Sequence, residues 1–316
     1  MLSSTQVEHG VGLSRTGVAI ACSGMALFYV AVLYAPTVVL RMPPPSDYQE
    51  FLIRRFLCSA VSSVVSICVC AFLLPIQNGD VNFLAFYGIR KDHFWQAVVF
   101  PLLLTSLMYA GSLAVKLFSL LEFFKECGGC VAMPTVKALM RESVGNIYST
   151  AFNVLAWRSY VVAPVTEELV FRACMIPLLL CGGFGVKSTI LFSPILFSLA
   201  HLNHWMEIYA RHNYSMLKAS LTIGLQLGYT VIFGSYASFL YIRTGNLFSP
   251  LVAHVFCNYM GLPVVFAGRK GVLTLAVFGS VTFLCLLIPM TQPKLYNDRI
   301  SNCRCWEGHC SWTATT

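Results

Sequence analysis

Charged side chains are scarce: Asp, Glu, Lys and Arg make up 11% of the 316 residues, less than half of the roughly 25% found in soluble domains. A chain so short of charge cannot cover a globular surface with solvated groups, and lipid is the solvent it suits. Charge is missing altogether from residues 17–40, 56–76, 97–115, 219–242 and 271–293. Each run approaches or exceeds the roughly 20 apolar residues that cross a bilayer, so these stretches read as membrane spans. Other signals are absent too. No G-x-S-x-G elbow and no H-E-x-x-H is present, so neither a serine hydrolase nor an ordinary zincin has a motif here. Neither a Met-Gly start nor a C-terminal prenylation box is found, and no lipid anchor is expected on this chain.

What charge there is sums to +8. In a soluble protein this would suggest nucleic acid, but here Lys and Arg sit in short loops beside hydrophobic runs, where anionic lipid headgroups account for them. No nucleic-acid partner is expected. The first apolar run is too long for a signal-peptide core and reads as a retained helix. Of the 13 cysteines, many, such as Cys22, Cys58, Cys68, Cys70 and Cys285, lie in apolar runs and act as small hydrophobes. Cys127 and Cys130 form a CxxC, and Cys303, Cys305, His309 and Cys310 cluster near the end. Neither group has the paired CxxC spacing of a zinc site.

The expected organisation is a polar N-terminal tail (1–16), one transmembrane domain (17–293) and a polar, Cys-containing C-terminal tail (294–316). After helix one, a Pro-rich loop at 41–55 leads to helix two at 56–76, a loop at 77–93 and helix three at 94–121, with Pro101 as a candidate kink. A polar stretch follows at 122–142, and 143–165 reads as either interfacial or re-entrant. Further apolar segments lie at 167–184, 187–204, 217–242, 246–266 and 271–290. The fold class is all-α, a polytopic membrane helix bundle of about eight spans. Loop charges do not fix the orientation, and the Asn213-Tyr214-Ser215 sequon would be used only in a lumenal loop.

Ionisable groups inside spans are costly and mark functional sites. Four places qualify: Glu167 and Glu168 with Arg172, His201 with His204, His254 with Asn258, and Arg158. On a helix Glu168 and Arg172 are four apart and share a face, whereas Glu167 points about 100° away. Arg172 can neutralise Glu168, and Glu167 is left without a partner at helical spacing, a state that suits a carboxylate to accept a proton. One buried ion-pair network of both glutamates is the alternative. His201 shares a face with Phe197 and reads as a catalyst or as a packing hydrogen-bonder. His204, beside Trp205, reads as an interfacial contact. His254 and Asn258, again four apart, can aim two donors at a developing oxyanion or glue helices together. A carboxylate, an imidazole and a donor pair are what peptide hydrolysis needs. The set Glu167, His201 and His254 also suits zinc.

Residues 163–172, APVTEELVFR, carry Glu167, Glu168 and Arg172 in the EExxxR spacing and resemble the signature of the type II CAAX prenyl endopeptidases. Phe197 to His201 is similar to that family's FxxxH, and His254 to Asn258 to its HxxxN, in the same order; together the motifs span 163–258. The histidine-rich residues 201–204 resemble a stretch found in the Ras-converting members. The resemblance implies an eight-helix protease of the endoplasmic reticulum membrane that needs no cofactor. Its substrates would be farnesylated or geranylgeranylated CAAX proteins such as Ras-like small GTPases. It further implies that Glu167 and His201 activate water, that His254 and Asn258 hold the oxyanion, and that Glu168 and Arg172 brace the site. Many relatives carry Arg-Asn before the first motif; here Ser159 follows Arg158, which leaves the role of Arg158 open. A zinc-dependent version of the protease and a non-catalytic scaffold of the same superfamily are the alternatives. A transporter, whose ion pathway would also use Glu, Arg and His, is a third reading.

Overall fold

The computed structural model describes residues 14–74, 83–126, 148–202, 216–264 and 271–296. The Cys127/Cys130 pair, His204, the sequon and the tail cysteines lie outside them. Among the described residues all regular structure is helical. In lipid this follows from the backbone, since a helix satisfies its N–H and C=O groups within one segment. Among the described residues, four helical stretches are long and apolar enough to cross a membrane: Arg15–Val38, Tyr48–Leu73, Met216–Thr244 and Val272–Met290; the bent pair Phe94–Met108 and Ala110–Lys125 adds a fifth if counted as one span. The chain is a polytopic helical membrane protein.

The first span is α1 (Arg15–Ala31), one 3-10 turn and α2 (Ala35–Val38). Next, α3 (Tyr48–Leu73) starts earlier than the loop expected at 41–55 would allow. Asp47 caps it by accepting the Glu50 N–H at 2.7 Å, and Glu50 accepts in return from the Ser46 N–H at 2.7 Å. Asp47 satisfies the N3 amide as an N-cap, and Glu50 reaches back one residue further, to Ser46, in a variant of the capping box. Arg54 donates to Glu50 and, at 2.7 Å, to the Pro43 carbonyl, folding the Pro-rich loop back on the helix.

The short helix α4 (Phe83–Phe86) precedes α5 (Phe94–Met108) and α6 (Ala110–Glu126). The bend expected at Pro101 lies elsewhere, because Pro101 sits inside α5 and the 79° break falls at Tyr109. There the Tyr109 hydroxyl donates to the Gly261 carbonyl at 2.7 Å and lies 2.8 Å from the Tyr229 hydroxyl, which fixes the corner.

Residues 154–181 form one rod: α7 (Val154–Trp157), a π-turn (Arg158–Val162), α8 (Ala163–Glu168), a second π-turn (Leu169–Cys174) and α9 (Met175–Cys181). Residues 154–165 of the ambiguous segment therefore supply the first part of the helix that carries the EExxxR motif. From Val170 to Leu180 the rod is buried on every side, as a helix hydrophobic all round should be. It packs among α1, α3, α10 (Val186–Ala200) and α11 (Met216–Thr244). Finally α12 (Phe248–Met260) packs on α5 and α11, and α13 (Val272–Met290) on α5 and α6.

Candidate active site

Glu167 and Glu168 close α8 between the two π-turns, and π-helical segments inside α-helices recur at functional sites. Glu168 faces inward and is fully buried, while Glu167 keeps 15% of its side chain exposed. Arg172 Nη1 donates to Glu168 Oε1 at 3.1 Å, and neither side chain has exposed surface. The i,i+4 spacing thus forms the pair it suggests. The Arg172 guanidinium also lies 4.6 Å over the Phe197 ring. Room for it depends on Gly234 of α11, where a Cβ would stand 3.3 Å from Arg172 Nη2 and 2.9 Å from Pro194 Cβ.

His254 comes from α12 and joins the two glutamates. Its Nδ1 is 2.7 Å from Glu168 Oε1, and its Nε2 is 3.6 Å from Glu167 Oε2. A carboxylate held against Arg172 can only accept, so Nδ1 carries the proton and Nε2 is turned toward Glu167. The imidazole is wedged edge-on against Phe233 at 5.1 Å and Phe197 at 6.4 Å. Glu167, without a partner at helical spacing, thus has one across the bundle.

His201 caps the C-terminal end of α10. Its Nδ1 lies 2.8 Å from the Phe197 carbonyl, which can only accept, so in the neutral ring Nε2 is the accepting nitrogen. Phe197 packs edge-on against His201 at 4.7 Å and Phe171 at 5.1 Å. That ring therefore touches the arginine and both histidines of the three motifs, a role hidden in a sequence that offers only an apolar residue four before a histidine.

Glu167 and His201 line one cavity of about 90 Å³, together with Tyr29 and Leu33 of the first span, Leu52, Arg55 and Ser59 of α3, and Arg158 of the rod. Such a volume admits several waters. Tyr29 is fixed there by a 3.0 Å hydrogen bond to Thr166.

Asn258 is placed differently. It is exposed, it is not among the residues lining this cavity, and its Nδ2 donates to the Ser159 carbonyl at 2.8 Å. The amide is thereby tied to the first π-turn, where the backbone carbonyl lacks its regular α-helical partner. One of its two N–H groups is engaged and one remains. A larger groove of about 1110 Å³, lined by Leu102, Tyr160, Val255 and Tyr259 among others, lies on that side of the rod. Among the described residues, no three His, Cys, Asp or Glu groups are arranged to hold one metal ion. The zinc set Glu167, His201 and His254 is therefore not drawn together as ligands.

Residues 149–260, which include all three motifs, match the family model described as Type II CAAX prenyl endopeptidase Rce1-like. A CAAX prenyl protease 2 of Arabidopsis thaliana is 56% identical over 306 residues, covering 96% of this chain and 98% of the relative. The human CAAX prenyl protease 2 is 35% identical over 92% of this chain and 85% of its own length. The Caenorhabditis elegans CAAX prenyl protease 2 is 33% identical over 74% and 82%. No solved structure matches the chain. With whole-length relatives at this identity and the three motifs gathered on one rod and its neighbours, the chain belongs to the type II CAAX prenyl endopeptidase family.

Proposed function

We propose that this protein removes the C-terminal tripeptide from farnesylated or geranylgeranylated CAAX proteins, Ras-like small GTPases among them, at the endoplasmic reticulum membrane. Glu167 is the general base. The observation that carries this reading is the division between two adjacent carboxylates: Glu168 is sealed against Arg172, while Glu167 opens onto a cavity it shares with His201. Water between Glu167 and His201 gives a proton to the carboxylate and attacks the carbonyl carbon of the prenylated cysteine itself. The carbonyl becomes an oxyanion, and collapse breaks the C–N bond as the proton passes to the leaving amine. The products are a prenyl-cysteine carboxylate and a free tripeptide.

With Nδ1 held on Glu168, His254 donates to the oxyanion only as the imidazolium, through Nε2; the second N–H of Asn258 is the other donor available. Asn258 serves this role only if the substrate reaches past the first π-turn, since its other N–H stays on Ser159. The direct test is purified protein incubated with a farnesylated CAAX peptide, with products read by mass spectrometry. Release of the intact tripeptide and a farnesyl-cysteine acid is expected. An uncut peptide, or cuts elsewhere, would remove the proposal.

A further inference from the structure

The cavity that holds Glu167 and His201 also holds two cations the reaction does not use. Arg55 comes from α3 and Arg158 from the first π-turn, and Glu167 is the one acidic residue among the described residues lining the space. Arg158 is partly exposed, and among the described residues no acidic side chain pairs with it. Arg55 lies over the Phe51 ring at 4.6 Å. Leu52, Arg55, Phe56 and Ser59 of α3 line the cavity, the i, i+3, i+4, i+7 stripe of one helical face.

The placement of Arg158 depends on the π-turn. It precedes Glu167 by nine positions, about two and a half turns of a regular α-helix, which would put the two on opposite faces. The π-turn over Arg158–Val162 winds less per residue and brings both onto one cavity.

We infer that Arg158, with Arg55 across the cavity, receives the free α-carboxylate at the substrate's C-terminus and so sets how many residues lie beyond the cut. This rests on the proposed peptidase activity. A tripeptide leaving group carries its carboxylate no more than about 10 Å from the scissile bond when extended. Nine residues of helix rise roughly 13 Å, less through a π-turn, and the long arginine side chain covers the difference. A carboxylate entering a membrane-embedded site needs a counter-charge, and a guanidinium fork can bind both of its oxygens at once. One specificity follows. Peptides ending in a free acid are favoured, and those whose terminus is neutral are disfavoured.

The test compares a farnesylated CAAX peptide with its C-terminal amide, using the full chain in nanodiscs. For the wild type, kcat/KM should favour the acid by on the order of 10- to 100-fold, the range for a hydrogen bond to a charged group. Arg158→Gln and Arg55→Gln should each lower that ratio, the double variant should bring it to about one, and Arg158→Lys should keep part of it. The ratio is internal to each sample and does not depend on how much protein folds. A wild-type ratio near one, or variants that lose turnover on both peptides alike, overturns the inference while leaving the peptidase in place. Equal losses that track the phosphatidylglycerol content of the disc would assign the arginines to lipid phosphate and overturn it as well. If neither peptide is cut, the peptidase reading fails and this inference with it.

Discussion

His254 Nδ1 lies 2.7 Å from Glu168 Oε1, the same oxygen that accepts from Arg172 Nη1 at 3.1 Å. One buried carboxylate thus neutralises an arginine on its own rod and orients a histidine from α12. The structural load falls on Glu168 and leaves Glu167 to the cavity.

Removing the Glu168 carboxylate should therefore cost stability first. Glu168→Ala leaves the Arg172 charge buried without a counter-ion, and such breaks cost roughly 3 kcal/mol or more. Glu168→Leu with Arg172→Met should melt above the single variant, because no uncompensated charge remains. Thermal melting of detergent-solubilised protein reads both. A single variant as stable as wild type would contradict this role for Glu168.

Helix α11 offers a paired test of close packing. Gly234→Ala places a methyl 2.9 Å from Pro194 Cβ and 3.3 Å from Arg172 Nη2, and overpacking of this kind costs about 1–3 kcal/mol. Gly228 has nothing within 4 Å of its Cβ position. Gly228→Ala should be neutral or stabilising, since Ala favours helix over Gly by about 1 kcal/mol. Melting temperatures should move down for the first and not for the second; equal shifts would contradict the packing described at Arg172.

Asn258→Ala discriminates between an oxyanion donor and a structural tie. As a donor, its loss should lower kcat by roughly 10² to 10³ with little change in KM. As a tie from α12 to the π-turn through the Ser159 carbonyl, its loss should lower the melting temperature and raise KM at an unchanged kcat. Steady-state kinetics beside melting separates the two, and the second pattern would require the oxyanion role to be given up.

Dialysis against a strong chelator should leave turnover intact, since Glu167 and His201 can polarise water without a metal. Metal content and activity are measured on the same sample. Activity lost and then restored by stoichiometric zinc would favour a metalloprotease in place of the glutamate mechanism.

Much of this arrangement was legible from local spacing. The charge-free runs became helices, and the four-residue step from Glu168 to Arg172 became an ion pair. Contacts between distant segments were not legible: His254 meets Glu168 across 86 positions, and nothing in a single sequence ties those positions together. The bend falls at Tyr109, whose hydroxyl bonds to Gly261 across 152 positions, while Pro101, the visible breaker, is accommodated within α5. The π-turns leave no mark in composition either, though the first brings Arg158 and Glu167 onto one cavity. In the same way 143–165 looked separable from 167–184 because Arg158 and Pro164 interrupt the apolar pattern. Pro164 instead lies inside the continuous rod just after the first π-turn, and the Ser159 carbonyl five residues before it accepts from Asn258.

The central claim is that Glu167 takes the proton from the attacking water, and Glu167→Gln tests it most directly. The amide keeps the shape of the side chain and cannot serve as the base. With the side chain 15% exposed and the Glu168–Arg172 pair untouched, the variant should melt close to wild type. Its turnover of a farnesylated CAAX peptide should fall by roughly 10² to 10⁴. Turnover near the wild-type rate in a well-folded Glu167→Gln protein would contradict the account.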